Sequence, residues 1–285
     1  MSAWPFTNPV LTASGCGGTG RDLAAYGELR GLGGFVTRSV TRLARPGSAA
    51  PRLVESPSGL VNAIGLQNPG IEAFLHDELP PLVDSGAAVV VSIAGHSLGE
   101  YAELARTVGR AAGVTGVEVN LSVPDPAGSG VLDAREPFQA ASVVGSCRGD
   151  LAAGVVLLAK LRTDVGRVVE TARAVVDAGA DAVVVGNALP AAMPDGRAGG
   201  LSGPAIRPQA LRCVAEVAGA LPDATVVGCG GIMDALDARA FLAAGARAVQ
   251  VGTALFHDPT TAFRIAEELT RESVPDIARA PGEDA

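Results

Sequence analysis

Eight short apolar runs in this chain end in small or polar residues, and these residues include groups suited to binding a ligand. Lys160 brings a positive charge, and the amides of Asn120 and Asn187 both donate and accept hydrogen bonds. Glycines at other run ends leave bare backbone N–H groups that an anion can approach closely. The eight run ends are Ala13-Ser14-Gly15, Thr37-Arg38-Ser39, Ser92-Ile93-Ala94, Asn120-Leu121-Ser122, Lys160, Gly186-Asn187, Gly230-Gly231 and Gly252-Thr253.

The spacing of these runs predicts an α/β fold, a single-domain (β/α)8 TIM barrel over residues 1–285. Strands that helices bury on both faces read as continuous Val, Ile, Leu and Ala runs, and the stretches between these runs read as helices. In such a barrel the reacting groups collect at the carboxyl ends of the strands. The predicted strands are Val10–Ser14, Gly34–Val40, Ala88–Ala94, Gly116–Leu121, Gly154–Leu161, Ala182–Asn187, Thr225–Cys229 and Ala248–Gly252.

Three segments interrupt the alternation of strands and helices. Ala3–Val10 precedes the first strand and is interpreted as an N-terminal plug at the barrel floor. Glu55–Gln67 is rich in turn residues yet contains apolar ones, which indicates an ordered loop over the barrel mouth. Pro124–Gly130 has strong turn propensity directly after the fourth strand. We therefore predict a mobile lid at about residues 122–135.

Composition and charge argue against several classes of protein. The chain has 285 residues, 48% of them hydrophobic, which fits one barrel of typically about 250 residues. A net charge of −8 disfavours nucleic acid or an anionic membrane as a partner. No apolar run approaches the ~20 residues of a membrane span, and Met1–Thr12 does not read as a secretion signal. We expect a cytoplasmic protein that acts on a small-molecule substrate.

The cysteines and histidines form no metal-binding motif in the sequence. The four cysteines fall singly, without a C-x-x-C pair, and the three histidines are scattered. We therefore predict no metal site, and any iron–sulfur centre would belong to another chain. The cysteines are Cys16, Cys147, Cys213 and Cys229.

The last two run ends carry the most specific physical signal. Gly230-Gly231 closes the seventh predicted strand and Gly252-Thr253 closes the eighth. Loops after strands seven and eight of β/α barrels commonly bind phosphate through backbone N–H groups. The alternative is that these glycines merely make tight turns. Their occurrence at both expected strands favours a phosphate-bearing cofactor over the barrel centre.

Four strings of residues run in order through nearly the whole chain: Asn8-Pro9-Val10 with Ala13-Ser14-Gly15, Val61–Gly70, Gly199–Ile206, and Gly230-Gly231-Ile232 followed by Val249–Thr253. With these strings the chain resembles the class 1 dihydroorotate dehydrogenases. The resemblance implies an FMN-containing β/α barrel that transfers a hydride between a cyclic substrate and flavin N5. It also implies a homodimer, alone or joined to a separate electron-transfer protein with iron–sulfur and FAD centres.

The resemblance assigns residues to the cofactor and to the substrate. A positive group beside the flavin pyrimidine ring stabilises the anionic reduced flavin, and a buried lysine without a partner is costly, so Lys160 is interpreted as an FMN ligand. The implied FMN-binding residues are Ala13, Ser14, Gly15, Arg38, Ser92, Asn120, Lys160, Gly203, Gly230, Gly231, Gly252 and Thr253. The implied substrate-binding residues are Asn62, Ile64, Gly65, Leu66, Asn120 and Asn187.

The chain departs from the family at three positions on the substrate side. Val123 stands where the family has its catalytic base, and a general base is worth about 10²–10⁴ in rate. Ser122 is adjacent but should point to the opposite face of the strand. Asp125 replaces an asparagine and Arg38 replaces a lysine, and we take these two as candidate catalytic residues. A solvated lid residue or a helix cap is the open alternative for Asp125.

Three hypotheses about function follow. The first is an FMN-dependent oxidoreductase that transfers a hydride between flavin N5 and a small cyclic or unsaturated compound other than dihydroorotate, because Val123 replaces the base. The second is a genuine dihydroorotate dehydrogenase that uses water or Asp125 as base. The third is a non-catalytic flavin-binding module. Our expectation from the sequence is the first.

Overall fold

A computed structural model describes residues 4–123 and 130–273 of the chain. Its strands fall into two groups, a parallel set and an antiparallel set. The parallel set is β1 (Val10–Thr12), β2 (Phe35–Val36), β5 (Val89–Ile93), β6 (Val114–Asn120), β7 (Val156–Leu161), β8 (Ala182–Val185), β11 (Thr225–Cys229) and β12 (Ala248–Val251). The antiparallel set is β3 (Leu53–Ser56), β4 (Gly59–Asn62), β9 (Leu189–Ala192) and β10 (Ala198–Ser202).

The eight parallel strands form a nearly closed barrel. Their order is β1-β12-β11-β8-β7-β6-β5-β2, so most neighbours in the sheet are also consecutive parallel strands along the chain. The two edge strands meet through a parallel bridge between Leu11 and Gly34, and the Thr12 N–H donates to the Gly34 carbonyl at 3.1 Å. The predicted (β/α)8 barrel is confirmed.

Helices surround this barrel on the outside. A π-helix at Phe74–Glu78 connects α2 to α3, and a 3₁₀ turn at Pro204–Ile206 leads into α7. The α-helices are α1 (Arg21–Ala24), α2 (Ile71–Ala73), α3 (Leu79–Asp84), α4 (Leu98–Gly109), α5 (Pro137–Asp150), α6 (Val168–Asp177), α7 (Arg207–Ala220), α8 (Ala235–Ala243), α9 (Ala254–His257) and α10 (Thr261–Ser273).

Two apolar layers hold the barrel together. The outer layer lies between strands and helices, where Phe74, Tyr101 and Phe241 are wholly buried. The inner layer fills the barrel with small branched side chains such as Val184 and Leu158. This is the expected division, because each strand of a parallel sheet has one face toward the helices and one toward the barrel interior. The interior is therefore a packed floor beneath any site at the carboxyl ends.

The four antiparallel strands form a second sheet that the sequence pattern did not predict. The segment Glu55–Gln67, interpreted above as an ordered loop, contains the end of β3 and all of β4. β4 pairs with β10, and Asn62 lies opposite Gly200. Because this pairing joins residues far apart in sequence, local turn propensity gave no sign of it. The sheet adds a wall beside the barrel mouth.

The segment predicted as a lid is described in part. Residues 124–129 lie outside the described residues, and with them the candidate catalytic residue Asp125. On either side of that gap, Val123 and Val131 are buried and pack with Ala94. No helix in the described part of the chain is long and apolar enough to cross a membrane.

Candidate active site

A cavity of about 470 Å³ opens at the carboxyl ends of the barrel strands. Its position follows from the fold, because loops at this end of a parallel barrel are free to vary while the opposite end is filled. Fifteen of the site residues predicted from the sequence line it: Ala13, Ser14, Gly15, Arg38, Asn62, Ile64, Leu66, Asn120, Lys160, Asn187, Gly203, Gly230, Gly231, Gly252 and Thr253.

Two predicted site residues do not line the cavity. The Ser92 side chain is fully buried, and its hydroxyl is 2.9 Å from the Ser39 hydroxyl. Ser39 therefore stands between Ser92 and the cavity, and Ser39 itself lines it. Gly65 has a positive φ of 71° and packs against Ser48, where an added Cβ would lie 2.6 Å from the backbone nitrogen. Gly65 therefore makes a tight turn between Ile64 and Leu66, which do line the cavity.

The asparagine amides are held in place by polar groups around the cavity. Asn120 donates from Nδ2 to the Ser39 hydroxyl at 3.1 Å. Asn187 donates from Nδ2 to the Ser122 hydroxyl at 2.7 Å, and Asn62 donates to the Gly200 carbonyl at 3.0 Å. Each NH₂ group has two hydrogens, so a second donor remains on Asn62 and on Asn120, whereas Asn187 Nδ2 also lies 3.4 Å from Asn120 Oδ1. Asn120 ends β6, Asn187 follows β8, and Asn62 ends β4 of the second sheet. The fold thus brings together three amides that are far apart in the sequence.

Lys160 is buried in the barrel and has partners that the sequence did not reveal. Its Nζ donates to Gln250 Oε1 at 2.6 Å and lies 3.5 Å from Glu118 Oε1. Gln250 in turn donates from Nε2 to Glu118 Oε2 at 2.6 Å. Lys160 thus has partners within the protein, contrary to the expectation of a buried lysine without one. Strand alternation offered one clue, since Glu118 is two residues before Asn120 and points to the same face.

Glycine-rich loops form a cradle at the other end of the cavity. Gly231 has a φ of 74°, and a Cβ added there would lie 2.7 Å from the Gly203 carbonyl oxygen. Gly203 also has a positive φ, and a Cβ on it would lie 2.9 Å from Gly59. Thr253 donates to the Ser202 hydroxyl at 2.8 Å. Side chains are excluded at this point, so a ligand in the cavity can approach the backbone of several loops closely.

Arg38 lines the cavity, but its guanidinium is held by neighbouring side chains. Nη1 donates to Gln67 Oε1 at 3.0 Å, and Nη2 donates to Glu78 Oε1 at 3.2 Å. Glu78 is the last residue of the π-helix, an insertion type that often occurs at functional sites. The positive charge expected from Arg38 is thus paired, and the guanidinium ties the loop that carries Gln67 to the helix.

Comparison with known proteins gives the family of this chain. The sequence profile described as dihydroorotate dehydrogenase matches residues 2–272. The chain belongs to the dihydroorotate dehydrogenase family. Among its relatives, the catalytic subunit of dihydroorotate dehydrogenase B (NAD(+)) from Geotalea uraniireducens is 44% identical over 271 residues, covering 92% of this chain and 88% of the relative. The protein of the same name from Pelobacter propionicus is 43% identical, covering 93% and 89%.

A solved structure supports the fold of this family member. The crystal structure of DHODH from Eimeria tenella, in complex with ferulenol, superposes with a TM-score of 0.73. The match covers 93% of this chain and 81% of that chain at 21% identity. At this identity the likeness concerns the fold alone. The family profile and the relatives above are what identify this chain as an oxidoreductase of the class 1 dihydroorotate dehydrogenase type.

The position that the resemblance assigns to the family's base is apolar in this chain. Val123 is 7% exposed, lines the cavity and packs with Ala94 and Val131. The neighbouring Ser122 lies outside the cavity lining, where its hydroxyl donates to the Lys160 carbonyl at 3.3 Å. Val123 thus lines the cavity and Ser122 does not, in keeping with the predicted alternation of the two side chains.

Among the described residues, none of those lining the cavity is Asp, Glu or His. The titratable groups there are Lys160, Arg38, Arg52, Cys16 and Cys229. Burial raises the pKa of the Cys16 thiol to about 12, even though Lys160 acts to lower it. Burial likewise raises the pKa of Cys229. Both thiols stay protonated at neutral pH. The charges of Lys160 and Arg38 are paired with Glu118 and Glu78, so among the described lining residues Arg52, which donates to the Ser48 and Pro46 carbonyls, is the cation that suits an anionic ligand.

Proposed function

We propose that this chain is an FMN-dependent catalytic subunit that oxidises dihydroorotate. The observation that carries the proposal is the identity of 41–44% with dihydroorotate dehydrogenase B catalytic subunits, along nearly the whole of both chains. From the sequence we expected a substrate other than dihydroorotate. The relatives favour dihydroorotate itself, which was our second hypothesis. Membership of an oxidoreductase family also weighs against a non-catalytic module.

The residues present fit FMN at both ends of the cavity. The cradle around Gly203 and Gly231 excludes side chains and suits the phosphate. Lys160, with hydrogens left after its bond to Gln250, suits the pyrimidine edge of the flavin. When bound, FMN would supply the acceptor for a hydride. The protein's part is to bind it, to exclude water and to present the substrate beside it.

The substrate-binding groups suit a planar, amide-rich anion such as orotate. Asn62, Asn120 and Asn187 line the cavity and are oriented by their own hydrogen bonds. Ile64 and Leu66 add apolar contacts from the loop after β4. Arg52 lines the cavity too, so a carboxylate would meet a positive field. This complementarity supports a dihydroorotate-like ligand over a cationic one.

The route of the substrate proton is the part of the proposed reaction in which this chain differs from the family pattern. Val123 accepts no proton, and the described lining supplies no carboxylate or imidazole in its place. Water or Asp125, which lies outside the described residues, remains our proposed acceptor. We expect slower oxidation of dihydroorotate than a member with a base achieves. The same observation favours a second candidate function, hydride transfer with another small cyclic compound.

The electrons are proposed to leave through another protein. The relatives are named catalytic subunits of NAD(+) enzymes, and the four cysteines of this chain include no iron–sulfur motif. A homodimer and a cytoplasmic location stay predictions.

The test is to purify the chain, identify any released flavin by mass, and mix the holoprotein with dihydroorotate without oxygen. Loss of the flavin absorbance at 1 per second or faster would support dihydroorotate as substrate. Bound FMN that dihydroorotate does not reduce would favour the second candidate. A protein that binds no FMN would refute both.

A further inference from the structure

A buried polar network lies inside the barrel directly beneath the cavity. Glu118 on β6 is fully buried, and Gln250 on β12 is 1% exposed. Gln250 bridges Glu118 to Lys160 on β7 through two hydrogen bonds of 2.6 Å each. Three strands therefore meet through polar side chains in a space that barrels usually fill with branched apolar residues.

Only one member of this network reaches the cavity. Lys160 lines it, whereas Glu118 and Gln250 do not. The layer around them includes Leu158 and Ala248, which are apolar and buried. Glu118 and Gln250 therefore do not contact a ligand in the cavity themselves, and Lys160 is the member of the network that links them to it.

The hydrogen bonds fix the direction of the ammonium group. The Gln250 amide donates from Nε2 to Glu118, so its Oε1 must face Lys160. A flipped amide would place its NH₂ against the ammonium and leave the carboxylate without a donor. Glu118 thus orients Gln250, and Gln250 orients Lys160. One ammonium hydrogen is used in this way, and the others remain for the cavity.

Stability alone does not account for the network. A buried ion pair loses about as much in desolvation as it gains in attraction, and apolar replacements of similar volume are often no less stable. Burial acts to lower the pKa of Lys160, but the Glu118 carboxylate and, with smaller effects, Cys229 and Cys16 raise it above its ordinary value. The lysine consequently keeps its proton although it is buried.

We infer that Glu118 and Gln250 are positioning residues that hold a charged Lys160 against the bound flavin. This inference rests on the proposed binding of FMN. Glu118 supplies the countercharge that keeps the ammonium protonated in a buried place, and Gln250 sets its direction. The pair thereby tunes the affinity for FMN and the potential at which the flavin is reduced.

The test compares the holoprotein with Glu118→Gln, Gln250→Met and Lys160→Met, and with the double variant Glu118→Gln/Lys160→Met. The measurements are the FMN dissociation constant and the flavin midpoint potential between pH 6 and 9. In Glu118→Gln the potential should fall more steeply with pH than in wild type, because burial lowers the pKa of Lys160 once the Glu118 countercharge is removed. In Gln250→Met the FMN dissociation constant should rise about tenfold, which is the effect of losing one hydrogen bond to a charged group.

The Lys160→Met variant is the background that tests whether Glu118 acts through the lysine. Adding Glu118→Gln to Lys160→Met should leave the pH profile of the potential unchanged, because the group through which Glu118 acts is gone. An equal effect in both backgrounds would overturn the inference, as would a wild-type profile in Glu118→Gln. If Glu118→Gln does not fold, an unchanged dissociation constant in Gln250→Met overturns it.

These outcomes separate the inference from the function on which it rests. A wild-type chain that binds no FMN refutes the proposed function and the positioning role together. A wild-type chain that binds FMN, with variants that match it in affinity and in potential, refutes the positioning role alone.

Discussion

Restoring a base at position 123 is the sharpest test of how this member differs from its family. Val123 lines the cavity and is buried against Ala94 and Val131, so a cysteine there occupies space that is already shielded from water. We expect Val123→Cys to speed flavin reduction by dihydroorotate by about 10²–10⁴, the usual contribution of a placed general base. The thiolate is the active form, and burial raises the pKa of a thiol, so the rate should continue to rise with pH above the ordinary thiol value of about 8.5.

The matched control is Val123→Ala, which enlarges the cavity without adding a base. Val123→Ala removes two methyl groups from this apolar contact and should lose about 2 kcal/mol of stability, whereas Val123→Cys refills part of the space with sulfur and should lose less. The two variants are therefore compared at a temperature where both are folded, so that the difference in rate reports proton transfer. The assay mixes each holoprotein with dihydroorotate anaerobically and follows the flavin absorbance at several pH values.

Two results would refute this reasoning. Equal reduction rates for Val123→Cys and Val123→Ala, with the same pH dependence, would mean that the C5 proton does not leave toward position 123. Wild type that already reacts at the rate of the cysteine variant would mean that another group, with Asp125 as the first candidate, serves as base. Adding Asp125→Asn to Val123→Cys then tests that group, because the double variant has the polar residues of the family.

Three further predictions concern the cofactor site and stability. Lys160→Met should weaken FMN binding about 10-fold or more, since a hydrogen bond to a charged group contributes about 1.5–3 kcal/mol; unchanged affinity in a flavin titration would contradict it. Gly231→Ala places a Cβ 2.7 Å from a carbonyl oxygen and should also weaken FMN binding, whereas Gly219→Ala, in α7 with open space around it, should not. Burial raises the pKa of the Cys147 thiol from its ordinary value of 9.0 to about 12. The folded state favours the protonated thiol, and this contribution to stability is present below pH 9 and lost as pH rises toward 12. Between pH 8 and 10 the free energy of unfolding should therefore fall less in Cys147→Ala than in wild type.

Local sequence determined the barrel and the face on which the cavity lies. Runs such as Ala182–Val185 are apolar throughout because helices and barrel interior bury both faces, and that pattern is readable without knowledge of partners. The residue that ends each run marks the carboxyl edge, which is why Asn120 and Asn187 could be placed at the cavity in advance. Val123 and its missing base were also visible in the string that follows β6.

Only the tertiary structure decided which of these groups have partners. Glu118 and Gln250 are 132 positions apart and meet because the strands curve into a closed barrel, which no local pattern encodes. The pairing of β4 with β10 depends on the same closure. Arg38 reads as a free cation in the sequence, yet Glu78, 40 positions later, binds it. Periodicity reports which face a side chain occupies, whereas charge pairing and pKa depend on distances across the barrel that are set only when the strands close.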